Sequence, residues 1–427
     1  MIWMRAAALA GMTALAACAT VHETTLPNGL KVIVQPDRRA PVAVAQLWYK
    51  VGGSDEPDGL TGISHALEHM MFKGTSRLKP GEFSRIIAEH GGRENAFTGK
   101  DYTAYHQQLE RSRLGIAFEL EADRMRGLTL DAQEFGKEIR VVMEERRLRT
   151  EDQPQALLYE RFMAEAYRAH PYRNPIVGWM KDLEALTVED LRAWYRSWYA
   201  PNNAILVVVG DVEPQTVFAL AEKYYGAIPP APLADRRPPR APEQQELRRV
   251  RVAAPAEVPS LLLGFHAPSF TDYRAPWEPY ALEVLAGVLD GGRSARFARA
   301  LVRERQIASS IDVDYSPTAR YATLFQVSAT PAQGKGVAEL EQAILGEIAR
   351  LRREPVSAIE LERVKAQVVA GNVFGRDSTF YQAMQIGMLE AVGLDRRLID
   401  RYVEAIRAVT AAQVQETEHR VNLMELE

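Results

Sequence analysis

Six prolines fall between residues 229 and 242, interleaved with Arg236, Arg237 and Arg240. Proline removes a backbone donor and fixes φ, so a run this dense can be neither a helix interior nor a central strand. It reads as an extended, solvated linker over residues 229–246. The linker cuts the chain into blocks of similar size, residues 19–228 and 247–427, and a length of 427 residues suits two cores rather than one.

Both blocks carry the same kinds of segment. In the first, Asn28-Gly29 is turn chemistry, and strands are predicted over 31–35, 42–49, 103–109 and 204–209. Helices are predicted over 63–72, 80–89, 113–126, 131–149, 157–167, 188–199 and 216–225. The second block offers strands at 248–253, 260–265 and 321–329. Its helices are placed at 280–289, 337–353, 357–374 and 400–409, the last of the chain. Strands alternating with runs of helices, rather than strict βαβ units, predict an α+β fold with mixed or antiparallel sheets. The similar order predicts an internal duplication, two homologous halves each pairing a sheet with helices.

Hydrophobic residues make up 47% and charged residues 25%, which excludes wholesale disorder. Lys and Arg total 52 against 56 Asp and Glu, so the basic excess of a nucleic-acid-binding protein is missing. The single cysteine, Cys18, allows no internal disulfide and no cysteine metal cluster, so a metal site must be built from His, Asp and Glu. Arg5 and the apolar run 6–17 form a signal peptide over residues 1–18, too short for a comfortable membrane span. Leu15-Ala16-Ala17-Cys18 resembles a bacterial lipobox. The expectation is therefore export to the periplasmic side of a bacterial envelope, with a lipid on Cys18 at the outer membrane as the only membrane contact. The alternative is an ordinary secretory signal.

The chemistry concentrates in Ser64-His65-Ala66-Leu67-Glu68-His69. On a helix His65 and His69, at i and i+4, emerge from one face and can bind one Zn²⁺. Glu68 shares that face and can act as a general base without ligating. With eight histidines in the chain, this His-x-x-Glu-His order is expected by chance in about 0.01 of such sequences. A catalytic zinc wants a third ligand and an open position. In the helix over 131–149, Glu138 and Glu145 lie seven residues apart on one face, with Val141 and Val142 between them turning the stripe inward. Buried glutamates are rare unless paired or metal-bound. Glu144 falls about 100° off the stripe. His90 and His106 are expected to make local hydrogen bonds rather than to ligate.

From Leu26-Pro27-Asn28-Gly29-Leu30 onward the chain resembles the pitrilysin–insulinase metallopeptidases, specifically the short branch of mitochondrial processing peptidase and its bacterial relatives. The resemblance rests on Gly52-Gly53-Ser54-Asp55-Glu56-Pro57, the His65–His69 motif with Phe72-Lys73-Gly74-Thr75, Asn95-Ala96-Phe97-Thr98, Asp101-Tyr102-Thr103, Val141-Val142-Met143-Glu144-Glu145 and Val207-Val208-Val209-Gly210-Asp211. It implies that His65, His69 and Glu145 hold one Zn²⁺ per chain, that Glu68 is the base, and that Glu138 supports the site. It further implies that Asn95 and Ala96 lie on an edge strand that pairs with substrate backbone, and that the fold is two homologous α+β halves.

One departure stands out. The family's non-zinc half carries an Arg followed seven residues later by a Tyr, both gripping substrate. Here Arg303 is followed by Ser310. Short members work as pairs of chains, so this chain is expected to be the zinc-bearing member of a heterodimer whose partner supplies the Arg–Tyr pair, with a homodimer as the alternative. The expected activity is zinc-dependent endoproteolysis of peptides or unfolded segments, within a chamber faced by the residues after Pro242. The competing functions are a non-catalytic assembly subunit and a metal-binding lipoprotein without turnover.

Overall fold

The computed structural model describes residues 20–233, 236, 244 and 246–422. The signal segment and Cys18 lie outside the described residues.

The first half is built on a six-stranded sheet, β1 (His22–Thr25), β2 (Lys31–Pro36), β3 (Val42–Tyr49), β4 (Arg93–Thr98), β5 (Thr103–Glu110) and β6 (Ala204–Gly210), in the order β1-β2-β6-β3-β5-β4. All neighbours are antiparallel except β2 with β6. Strand alternation sends Val32, Val34, Ala45, Leu47, Leu206 and Val208 to one face. There they pack under α1 (Ile63–Met70), α3 (Leu114–Gly127), α7 (Val188–Trp198) and α8 (Pro214–Tyr225). Three further helices, α2 (Glu82–Glu89), α4 (Ala132–Arg146) and α5 (Pro154–Ala166), and the short α6 (Met180–Ala185) complete this half.

The second half repeats the scheme. Its strands β7 (Leu261–Ala267), β8 (Ala308–Tyr315) and β9 (Thr323–Pro331) pair antiparallel in the order β7-β9-β8, matching β3-β5-β4. Helix α9 (Glu278–Asp290) stands where α1 stands, and a π-helical turn over Ala298–Glu304 replaces α2. Helices α10 (Val337–Arg353), α11 (Ala358–Gly375), α12 (Thr379–Ala391), α13 (Leu398–Ala408) and α14 (Ala411–Asn422) follow in the order of α3 to α7. The α+β duplication expected from the sequence is thus present in the order β3 to α7, while β1, β2, β6 and α8 have no counterpart among the described residues of the second half.

The halves exchange helices. The opposite face of the first sheet (Ile33, Val44, Trp48, Ala104, Ile205, Val207 and Val209) is covered by Ala383, Ile386 and Ala391 of α12. Gly387 lies so close to Trp48 that an added Cβ would sit 2.1 Å from Nε1. Reciprocally, Phe162 of α5 lies against Gly264 of β7, and Met163 and Tyr167 pack with Leu324 of β9. Polar clamps join the halves as well: Lys31 to Glu390 at 2.8 Å, and Arg320 to Asp55 at 2.9 Å.

Residues 248–253, expected to form a strand, have no regular structure. Val250 is exposed, and Arg249 reaches out to Glu341 of α10. The outer side of β7 is left beside a cavity of 1080 Å³ lined by Phe162, Leu247, Val252 and Leu261, well away from the His65 motif. Strands β1, β4 and β8 and helices α6, α12 and α14 were not predicted from periodicity, and α14 rather than the helix at 400–409 is the last of the described residues.

Candidate metal centre and active site

Helix α1 is fixed at its start by backbone chemistry. Gly62 precedes it at φ +86°, and an added Cβ would lie 2.5 Å from the Val177 carbonyl oxygen. The buried Glu56 carboxylate accepts from the N–H groups of Gly62 at 2.8 Å and Ser64 at 2.9 Å, satisfying donors that a helix N-terminus leaves open. Burial pushes the Glu56 acid up to about 8, against those two hydrogen bonds. Ile63, Ala66, Leu67 and Met70 sink into the core, which leaves His65, Glu68 and His69 on the side that meets α4.

Helix α4 is capped by Asp131, whose carboxylate accepts from the Gln133 and Glu134 N–H groups. Its seam toward α1 carries Glu138, Val142 and Glu145, at i, i+4 and i+7. Val142 is fully buried, as expected. Val141 is not: it is 49% exposed, because the seam is one residue narrower than an inward stripe through both valines requires. Glu144 is exposed and pairs with Arg147 at 3.1 Å, off the seam.

These two helices bring the expected residues together. His65 Nε2 lies 3.8 Å from Glu145 Oε1, and His69 Nε2 lies 3.4 Å from Glu145 Oε2. Among the described residues, His65, His69 and Glu145 are the one group of three or more such side chains whose ligand atoms all lie within 4.8 Å of one another. Ligand atoms about 2 Å from a shared zinc are up to about 4 Å apart, so the donor set fits with small adjustment. Glu138 Oε1 is 3.0 Å from His69 Nδ1, and its other oxygen is 2.6 Å from Lys73 Nζ. That contact places the His69 proton on Nδ1 and leaves the Nε2 lone pair facing Glu145. Burial pushes His65 down to about 3, with His69 and Arg149 adding to the effect, so it is neutral and able to ligate. His65 Nδ1 is buried without a partner. Arg149 sits 2.5 Å from Glu145 and supplies the counter-charge there.

Glu68 stands beside this group and coordinates nothing in it. Its carboxylate accepts a hydrogen bond of 2.5 Å from Thr98 Oγ1, at the end of β4. Burial pushes its pKa up, and the Thr98 bond opposes that shift. Behind it lies Arg124, fully buried, bonded to Glu121 and stacked on Phe72, Phe83 and Tyr105. Strand β4 ends the sheet, so its outer edge is unpaired. Asn95 on it is exposed and Ala96 half-buried, opposite His106 and Tyr105 of β5. His90 bonds the Ile86 carbonyl at 2.8 Å, as expected, whereas His106 packs on Phe97 and on Phe380 of the second half; neither belongs to the His65 group.

Arg303 is not brought to this site. It is exposed on the π-helical turn of the second half, and Ser310 is exposed on β8. Among the described residues, the hydrogen-bond and charge partners of His65, Glu68, His69, Glu138 and Glu145 all lie in the first half. The second half covers the back of the zinc-side sheet instead of facing the site across a chamber. Sequence reasoning assigned no role to Thr98, Lys73 or Glu56. The signal for Thr98 was its spacing of two from Ala96, which puts both on one face of β4.

Comparison with known proteins agrees with this geometry. Residues 31–179 match the profile described as insulinase, peptidase family M16, and residues 185–368 match the M16 inactive domain. The chain is 32% identical to the zinc protease PqqE of Helicobacter pylori over 84% of this chain and 81% of that protein. The crystal structure of a protease from Helicobacter pylori superposes with a TM-score of 0.88 at 29% identity, over 94% of this chain and 96% of that one. The periplasmic protease PqqL from Escherichia coli shares the fold, with a TM-score of 0.78 at 19% identity, and this chain spans 46% of its length. With these two profiles together matching most of the chain, and with a zinc protease 32% identical over 84% of it, the chain belongs to the insulinase family of peptidases, family M16.

Proposed function

We propose that this chain is a zinc-dependent endopeptidase acting on extended peptides or unfolded segments, and the zinc-bearing member of a two-chain enzyme. The observation that carries the reading is the pairing of a three-ligand group with a carboxylate, Glu68, that is adjacent but not part of it. A non-catalytic subunit would have no need of that combination. A Zn²⁺ held by His65, His69 and Glu145 supplies Lewis acidity, polarising a peptide carbonyl and lowering the pKa of an attacking water.

The chain's own residues do the rest. Glu138, braced by Lys73, keeps His69 in one tautomer. The open edge of β4 at Asn95 and Ala96 offers main-chain hydrogen bonds to an extended substrate, a mode that carries little sequence information. Glu68 accepts the water proton as the new C–O bond forms, then delivers it to the amine as the C–N bond breaks. The second half covers the back of the sheet, so a wall facing the site is assigned to a second chain, which would also supply the Arg–Tyr pair that Ser310 interrupts. The relation to PqqL, about twice as long, is consistent with two such units making one enzyme. Export and a lipid on Cys18 remain part of the proposal, resting on Leu15-Ala16-Ala17-Cys18.

Metal analysis tests the reading. The purified chain should bind about one zinc, and chelation should abolish hydrolysis of an unfolded peptide. Glu145→Gln should lose metal while Glu144→Gln keeps it. Full activity without metal, or metal loss in Glu144→Gln alone, would overturn it.

A further inference from the structure

Glu68 has two carboxylate oxygens, and proton transfer needs one of them free and aimed at the attacking water. The structure holds the other: Thr98 Oγ1 lies 2.5 Å from Oε2, the geometry of a strong hydroxyl–carboxylate hydrogen bond. A threonine hydroxyl this close to a carboxylate donates, because an ionised carboxylate only accepts. The bond fixes the rotation of the carboxylate plane, which as a terminal torsion is otherwise broad. Oε1 is left as the oxygen available to the reaction.

The placement of Thr98 gives that bond a second consequence. It is the last residue of β4, paired with Thr103 of β5, and two residues from Ala96. Residues two apart on a strand share a face, so Thr98 and Ala96 stand on the same side of β4. Ala96 packs against the core beneath α1. A peptide added to the β4 edge would be held by the same backbone that carries the Thr98 hydroxyl. Base and substrate are thereby referred to one strand, although Glu68 itself sits on a separate helix.

We infer that Thr98 is a positioning residue of the reaction: it orients the Glu68 carboxylate and ties the base to the strand on which substrate lies. The inference rests on the peptidase reading and adds to it a residue that neither binds metal nor transfers a proton. Hydrogen-bond partners that orient metal ligands carry effects of about 10- to 100-fold, and an effect of that order is expected for a partner that orients the base.

The test compares Thr98→Val and Thr98→Ser in the full chain. Valine keeps the β-branched shape that suits a strand but loses the donor, whereas serine keeps the donor and loses a methyl. Single-turnover hydrolysis of a short unstructured peptide with enzyme in excess should show kcat about 10- to 100-fold lower for Thr98→Val. KM and bound zinc should stay unchanged, and Thr98→Ser should stay near wild type. A second readout needs no turnover. In metal-free protein, the infrared carboxylate band assigned to Glu68 by difference against Glu68→Gln should move in Thr98→Val and not in Thr98→Ser. An unmoved band, an unchanged kcat in Thr98→Val, or a Thr98→Ser variant as impaired as Thr98→Val would overturn the inference. A wild-type chain that keeps the band pattern but hydrolyses nothing, alone or with an Arg–Tyr partner chain, would instead overturn the peptidase reading, and the positioning role with it.

Discussion

At the scale of single residues, the first and second halves treat the same chemistry differently. Glu68 on α1 has a donor and an adjacent metal-binding group. Glu283 on α9, the helix that stands where α1 stands, has among the described residues only the Tyr402 hydroxyl at 3.2 Å. The Glu283 Oε2 is sealed from solvent with no partner. Burial pushes this acid up to about 8. Its ordinary value is 4.5, so between these limits the folded chain holds a proton that the unfolded chain has released. Linkage then requires stability to be fully present below about 4.5 and to fall as pH rises through that window, levelling off above about 8. Glu283→Gln should flatten this dependence and be the more stable protein at alkaline pH, as read from urea midpoints across the range. Identical pH profiles for the variant and the wild type would contradict the assignment.

At the scale of elements, legibility in the sequence followed how local each cause is. The faces of α1 and α4 could be read because helical spacing alone decides which side chains share a side, and His65, Glu68, His69, Glu138 and Glu145 converge as that spacing requires. Val141 escaped because the width of a seam depends on the partner helix, not on the helix itself. Strand β4, with the sequence Arg-Glu-Asn-Ala-Phe-Thr, shows no apolar alternation: it is an edge strand on which Arg93 and Asn95 are exposed. Helix α12 was missed although Ser378 caps it, accepting from the Tyr381 N–H. Its apolar residues answer to the other half's sheet, a contact that no local pattern announces. Two glycines make the point testable. Gly387→Ala forces a methyl into Trp48 and should destabilise the chain by about 1–3 kcal/mol. Gly136→Ala, in α4 with open space around it, should stabilise it by about 0.5–1 kcal/mol. Denaturation monitored by tryptophan fluorescence would check both, and a Gly387→Ala chain as stable as wild type would show that α12 does not seal the sheet as described.

At the scale of the whole molecule, the exchange of α5 and α12 makes the two halves one unit. Asp55 illustrates the locking: its shielded side chain receives Arg320 from the second half and Arg236 from the linker. In a unit built this way the helices carrying His65, His69 and Glu145 lie on one side of the first sheet, with the duplicated half on the other. Among the described residues, Arg303 and Ser310 make no hydrogen bond or ion pair with His65, Glu68, His69 or Glu145, and the sequence could not reveal this because their placement is set by the packing of the halves. The same packing leaves Glu68, the group of His65, His69 and Glu145, and the edge of β4 together in the first half, and the proposal stands or falls on Glu68 being the group that performs the chemistry there. The direct measurement is zinc content and peptide hydrolysis of Glu68→Gln beside the wild type, each with and without chelator. The account predicts about one bound zinc in both proteins, chelator-sensitive hydrolysis by the wild type, and a loss of at least about 10²–10⁴ in rate for the variant. A Glu68→Gln chain that binds zinc and cleaves at the wild-type rate would contradict it.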